Sequence, residues 1–321
     1  MNPGRLRIVI PGGSGQVGRV LAAYLQQRGH YVTVLTRGPY TAPWQTVHWD
    51  GENPGPWTEH LEGADVCINL AGRSVNCRYT PANRAAIYDS RIRTTRLLNR
   101  VMLTLAVPPR VWLNASTATI YRHAFDRPMD EATGEFGGDE PGAPSAWNFS
   151  IQVARDWETA FFESSTPRTR KVAMRSAITL SPQPGNPFAI FSNLVRFGVG
   201  GKLSSGRQFV SWIHDADFVR AVEFLILRDD LAGPINLASP NPITNRDFMA
   251  DLRDAWNVPN GVPHFKPMLE VAAFLFRTET ELILKSRRVV PSRLLDAGFQ
   301  FEFPDWPAAA QELVRRYRAR D

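Results

Sequence analysis

The residues best placed to do chemistry come first in the chain: Gly12-Gly13-Ser14-Gly15-Gln16-Val17-Gly18, between an apolar run over 6–10 and a helical pattern over 17–28. The spacing of Gly12, Gly15 and Gly18 suits backbone that must pass close to a pyrophosphate. The first glycine permits a tight turn, the second keeps a side chain out of the phosphate path, and the third lets helix and strand pack closely. The helix start offers free N–H groups and the positive end of a dipole to phosphate oxygens. Gly12, Ser14, Gly15, Gln16, Val17 and Gly18 therefore read as dinucleotide contacts.

The second strand-like run ends at Thr36-Arg37. Roughly 20 residues past the glycines, a site for the unphosphorylated dinucleotide presents an acid to the ribose 2′-hydroxyl. No acid stands there. An arginine suits a 2′-phosphate by bidentate pairing, with Ser14 as helper, so NADP(H) is the expected cofactor; the alternative is that Arg37 is a solvated strand end.

Two further stretches follow strand-like runs: Asn69-Leu70-Ala71-Gly72, and Asn114-Ala115-Ser116-Thr117-Ala118-Thr119-Ile120-Tyr121. With the glycine turn they resemble the extended short-chain dehydrogenase/reductases of the NAD-dependent epimerase/dehydratase superfamily. The segments 89–95, 206–214, 239–245 and 294–299 are similar, more narrowly, to its atypical nucleoside-diphosphate-sugar epimerase-like branch, and the likeness spans essentially the whole chain. It implies that Gly12, Gly15, Gly18 and Arg37 hold the dinucleotide while Asn69, Leu70, Ala71 and Gly72 border its adenosine side. It also implies that Ser116 or Thr117 faces the nicotinamide, and that Arg207 sits at a substrate pocket where relatives often bind a diphosphate. Trp212 reads better as core than as contact.

Typical members of that superfamily place a tyrosine four residues before a lysine on one helix, so that the ammonium lowers the phenol pKa for proton transfer. None of the seven tyrosines here has a lysine four residues on, and no lysine precedes Lys171. Aligning the expected helix on 148–158 puts Phe149 and Val153 in those places. The atypical branch shares this departure. Substitutes are few: Tyr121 could reach a pocket lip, and Arg78, His123, Arg155 and Asp156 lie on segments expected nearby. Each also has a structural reading, Tyr121 as a packed strand-end residue, and His214 reads as a buttress of the sheet.

Elements must position these residues, and apolar runs over 6–10, 31–36, 66–70, 111–114 and 171–177 alternate with helical patterns. That rhythm predicts an α/β fold, a Rossmann doubly wound parallel sheet with a smaller C-terminal substrate lobe. The expected division is 1–180 for the dinucleotide domain, with sheet returns within 212–239, and 181–321 for the interleaved lobe. Helices are expected over 215–227, 245–256 and 307–318.

The charge of +6 is scattered, and all but Lys171, Lys202, Lys266 and Lys285 of the 37 basic residues are arginine, so phosphates of small ligands fit better than nucleic acid. Cys67 and Cys77 make neither a disulfide framework nor a metal site. No apolar segment precedes the first strand and no run of about 18 apolar residues occurs, so a cytoplasmic protein without membrane insertion is expected. A homodimer is common in relatives.

The reading is an NADP(H)-dependent oxidoreductase or epimerase acting on a carbonyl or hydroxyl of a small, nucleotide-sugar-like substrate by nicotinamide hydride transfer. Ser116, Thr117 and Tyr121 are its catalytic candidates and its acid/base is unassigned. The alternative is a non-catalytic NADP(H)-binding redox sensor or scaffold.

Overall fold

Apolar residues on successive positions of a strand need cover on both faces, and the fold supplies it. The computed structural model describes residues 4–138, 140, 144, 146–263 and 281–320, so Lys266 lies outside them. In chain order the first half builds β1 (Arg7–Pro11), α1 (Gln16–Gln27), β2 (Tyr31–Thr36), β3 (Gln45–His48), β4 (Val66–Asn69), α2 (Pro81–Thr104), β5 (Val111–Thr117), α3 (Ala146–Phe162) and β6 (Arg170–Ser176). Then come β7 (Ile178–Leu180), α4 (Pro187–Arg196), β8 (Phe209–Val210), β9 (Trp212–His214), α5 (Asp215–Leu227), β10 (Gly233–Leu237), β11 (Ile243–Thr244) and α6 (Asn245–Trp256). Three short or terminal helices follow: α7 (Glu281–Leu284), α8 (Ser292–Asp296) and α9 (Trp306–Arg318).

Seven parallel strands form one sheet in the order β10-β6-β5-β4-β1-β2-β3. The order runs outward in both directions from β1 and β4, the switch point beyond whose carboxyl ends ligands bind in such sheets. Ile8, Ile10, Val34 and Ile68 pack with Leu21 and Leu25 of α1 and Val222 of α5. Their sequence neighbours Val9, Leu35 and Cys67 pack on the opposite face with Leu98 of α2 and Phe161 of α3. The strand period of two thus divides the sheet core into two layers.

The expected helix over 215–227 is observed with those bounds. His214 caps it, Nδ1 accepting from the Ala216 N–H at 3.1 Å, while Nε2 lies 2.9 Å from Glu312 and the ring stacks on Phe303. His214 is thus structural, as expected, but as a helix cap and a contact of the last helix, on a strand outside the seven-stranded sheet. β3, by contrast, was not expected: it is a polar, largely exposed edge strand without an apolar pattern.

A separate apolar cluster joins α4, α6 and α9 to β7 and β9. At its centre Trp306 stacks on Phe248 (centroids 4.1 Å apart), meets Trp212 edge-on at 5.1 Å, and donates Nε1–H to the Phe248 carbonyl at 2.9 Å. Trp212 is wholly buried, so it is core. Trp306→Ala is expected to lower the unfolding free energy by about 3–5 kcal/mol in urea titrations, the range for a buried aromatic truncated to a cavity.

Candidate functional site

The chain leaves β1 through the glycine turn, and geometry gives each glycine a different reason. Gly12 has φ +74°, and a Cβ there would stand 2.6 Å from the Ala71 Cα, so the turn is wedged against the chain leaving β4. A Cβ on Gly18 would stand 2.6 Å from Gly13 backbone atoms, so α1 touches the turn itself. A Cβ on Gly15 would meet only the Gly12 carbonyl oxygen, at 3.5 Å. Gly15 therefore keeps open the space before α1, not a protein contact.

That helix start is open in charge as well. No side chain caps α1 and no acid stands in its first turn, whereas Thr80, Asn186, His214 and Thr244 cap α2, α4, α5 and α6. Free donors at the positive end of a helix suit phosphate oxygens. The Thr36 hydroxyl donates to Ser14 Oγ at 3.1 Å, which ties the end of β2 to the turn. Arg37 follows, exposed and without hydrogen bond or ion pair among the described residues. Gln16 points elsewhere, its Nε2 donating to the Pro184 carbonyl at 3.3 Å. Asn69 is fully buried, bonded to Asn114 Oδ1 at 2.7 Å and accepting the Ala71 N–H at 3.1 Å, so it shapes the loop instead of lining it.

Beyond the turn opens a cavity of about 280 Å³. Val17, Leu70 and Gly72 form its border with the turn, Ser116, Thr117 and Thr119 continue from β5, and Ser176 and Thr179 stand near the end of β6. Helix α3 contributes Phe149, Ser150, Val153 and Trp157. The expected tyrosine and lysine positions thus do face the cavity, and they are apolar.

Residues 8–238 match the NAD dependent epimerase/dehydratase family, and residues 265–313 match a domain of unknown function, DUF1731. The chain belongs to the NAD dependent epimerase/dehydratase family. It is 34% identical over 297 residues to "Epimerase family protein Mb2239" of Mycobacterium bovis, covering 92% of this chain and 93% of that one. Its structure is similar to the crystal structure of human epimerase family protein SDR39U1 (isoform 2) with NADPH, with a TM-score of 0.83 and 26% identity over 97% of this chain and 99% of the other. A nucleoside-diphosphate sugar epimerase from Corynebacterium glutamicum has a TM-score of 0.76 and 28% identity over 97% of this chain but only 58% of its own. The expected family and the Rossmann sheet are thereby borne out.

Within this family fold, the candidate catalytic hydroxyls are engaged by the protein. Ser116 donates to Glu158 Oε1 at 2.6 Å. Glu158 lies in a buried, bidentate pair with Arg175, at 2.8 and 2.7 Å, and Arg175 donates to the Tyr121 hydroxyl at 2.9 Å. Tyr121 in turn donates to Asn236 Oδ1 at 3.0 Å. Burial opposes the charge on Arg175, yet the Glu158 carboxylate outweighs it and the guanidinium pKa is raised. Tyr121 is 1% exposed, does not line the cavity, and has a pKa raised by burial, so it is a packed network member and not a lip residue. Thr117 donates to Thr119 Oγ1 at 3.1 Å and accepts from its N–H. Thr119 lines the cavity beside it.

Of the other candidates, Arg155 donates to the Gly137 carbonyl, Asp156 accepts from Gln152, and His123 Nδ1 accepts the Ser286 N–H; none lines the cavity. Arg78 also stays off the wall. Arg207 is exposed and likewise does not line it. One guanidinium that does is Arg287, whose backbone N–H donates to the Phe209 carbonyl, two residues from Arg207. Glu281, Ser150, Tyr79 and Arg91 join it on the wall. No local spacing could reveal this group, since Ser150 and Glu281 are 131 residues apart. Lys285 is buried behind them, donating to the Thr119 carbonyl at 3.0 Å, and burial pulls its pKa down to about 8.

Removing one partner of a buried pair leaves the other uncompensated. Glu158→Ala is therefore expected to cost about 3–5 kcal/mol of stability in denaturant titration, against about 1 kcal/mol for Ser116→Ala. Because Lys285 loses its proton near pH 8 when folded but near 10.5 when unfolded, the unfolded chain holds more protons between those values and stability rises with pH there. Lys285→Met should flatten that rise in urea titrations across the interval; Lys171, also lowered to about 8 by burial, retains a share.

Proposed function

We propose that this chain is an NADP(H)-dependent oxidoreductase, of epimerase or reductase type, acting on a carbonyl or hydroxyl of a small molecule held in the cavity. The observation carrying this reading is the continuity of two sites: Val17, Leu70 and Gly72 border both the phosphate-ready turn and the cavity lined by Ser116 and Thr117. A bound nicotinamide supplies hydride donation or acceptance at one ring carbon. The structurally similar human protein was crystallised with NADPH.

Several features support the phosphorylated form. Arg37 has no partner among the described residues, Ser14 is tied to the strand end beside it, and no acid occupies the place. A fork of donors with no carboxylate to satisfy it fits a 2′-phosphate and carries no penalty with one.

The protein's own part is positioning and proton control. Ser116 gives its proton to Glu158, so its lone pairs are what it presents, and it is set to accept from a substrate hydroxyl. Thr119 accepts from Thr117 and keeps its own proton for an oxygen in the cavity. The apolar faces of Phe149, Val153 and Trp157 lower the local polarity around these groups, which strengthens each hydrogen bond made there.

Phe149 and Val153 favour a second reading, a binder that reports dinucleotide occupancy without turnover. Mixing NADPH-loaded protein with a panel of carbonyl compounds and following the nicotinamide absorbance separates the two: loss of absorbance is expected, and tight binding without turnover across the panel supports the sensor. Gly15→Ala should leave stability nearly unchanged, because its Cβ meets nothing closer than 3.5 Å, yet abolish dinucleotide binding. Arg37→Glu should weaken NADPH by about 1.5–3 kcal/mol in calorimetric titration with little effect on NADH; equal loss for both dinucleotides refutes the 2′-phosphate role.

A further inference from the structure

The glycine turn has no cation of its own. Residues 12–18 carry no charged side chain, and the start of α1 offers phosphate oxygens only about half a unit of positive charge. Arg37 stands to one side, after β2, and Arg19 is electrostatically coupled to Tyr40, which also follows β2. A dinucleotide carries a negative charge on each phosphate of its pyrophosphate. Part of that charge is left to be met from the other side of the turn, where β4 neighbours β1.

Arg91 of α2 stands there. Leu70 donates its N–H to the Pro11 carbonyl at 2.8 Å and Ala71 is wedged against Gly12, so the chain leaving β4 is fixed to the turn. Arg91 is fixed to that chain: Nη1 donates to the Arg73 carbonyl at 3.0 Å and to the Ile87 carbonyl at 3.1 Å, while Ser90 Oγ accepts the Arg73 N–H at 2.9 Å. A Cβ on Gly72 would stand 3.2 Å from Cζ of Arg91 and 3.4 Å from both Nη atoms, so the guanidinium lies flat against Gly72. Its Cζ is 5.1 Å from the centroid of the Trp157 ring.

The Nε–Nη2 edge is left over. Neither atom makes a hydrogen bond or ion pair among the described residues, and, unlike the same atoms of Arg287, neither is shut off from solvent. Arg91 lines the cavity with Val17 and Gly72, at its border with the turn. Burial pulls its pKa down to about 10, so it stays charged at neutral pH and gains from an anion.

Deepening the proposed function, and resting on its dinucleotide reading, we propose that Arg91 holds the nicotinamide-side phosphate of the pyrophosphate, Nε and Nη2 receiving two of its oxygens. Paired donors on one planar edge match two oxygens of a phosphate. The side follows from the sheet order: Arg37 and Arg91 flank the β1 turn from β2 and from β4, so a dinucleotide whose 2′-phosphate lies at Arg37 crosses the turn and passes Arg91 before entering the cavity. Helix α1 and Arg91 then grip the pyrophosphate from two directions.

The test compares wild type with Arg91→Gln in calorimetric titrations of NADPH, 2′-phospho-ADP-ribose and adenosine 2′,5′-bisphosphate, the last of which lacks the nicotinamide-side phosphate. The substitution is expected to weaken NADPH and 2′-phospho-ADP-ribose at least about tenfold, the loss of a charge-assisted hydrogen bond, and to leave the bisphosphate as it was. Arg37→Glu, by contrast, should weaken all three. Unchanged NADPH affinity in Arg91→Gln overturns the assignment, and so does an equal loss for the bisphosphate, which is what a displaced 70–73 segment alone would produce. Should Arg91→Gln fail to fold, the NMR resonance of the Arg91 Nε–H in wild type decides: it should move with 2′-phospho-ADP-ribose and not with the bisphosphate. Movement with UDP alone gives Arg91 to the other occupant of the cavity and overturns the assignment. Wild type that binds none of the three dinucleotide probes refutes the cofactor reading and this inference together, whereas binding without response at Arg91 refutes this inference alone.

Discussion

The buried pair between Glu158 of α3 and Arg175 of β6 sets the rotation of α3 against the sheet. Register places Ser116 directly opposite Arg175 on neighbouring strands, so one carboxylate can take both the guanidinium fork and the serine hydroxyl. With Glu158 turned to the sheet, Phe149, Ser150, Val153 and Trp157 are the side chains left to face the cavity. Such a pair is weak evidence of stability, because desolvation offsets much of the attraction. Its effect is geometric: a slip of α3 by one residue would strand a buried charge, so only one face of the helix can be shown.

That constraint explains why losing the tyrosine and lysine of typical relatives does not erase the site. The helix is still held in place, but its exposed face is apolar, and polar atoms enter from elsewhere. Tyr79 precedes α2, while Glu281 and Arg287 arrive from the far end of the chain through the pairing of Phe209 with Ser286 and Arg287. Beside a largely apolar lining these few groups interact more strongly with each other than they would in water.

Legibility in the sequence followed how local the cause was. The glycine turn and the helices over 215–227 and 245–256 depend on short-range spacing, and they stand where spacing puts them. Helix α2 gave no clear pattern because its buried face includes Thr94, Thr95 and Asn99; Trp157 Nε1 donates to Thr95 Oγ1 at 2.9 Å, and Asn99 Nδ2 to the Ala160 carbonyl at 2.6 Å. Those polar groups are compatible with burial only because distant residues satisfy them, which no window of sequence displays. The choice of Arg207 as the pocket arginine failed for the same reason: Arg207 is exposed, and one of the two cations that reach the wall, Arg287, lies on the segment paired beside it.

Tyr121 shows the converse. Its place after a central strand suggested access, yet a phenol there completes a chain from Asn236 through Arg175 to Glu158. Each member satisfies the next, and the chain ends at the Ser116 hydroxyl on the cavity wall. A network closed at every buried member and open only at that surface confines adaptability to the groups that touch a ligand. Arg287 stands outside that chain, its Nη2 3.7 Å from the Glu281 carboxylate, so the rigidity of the cavity floor does not depend on it.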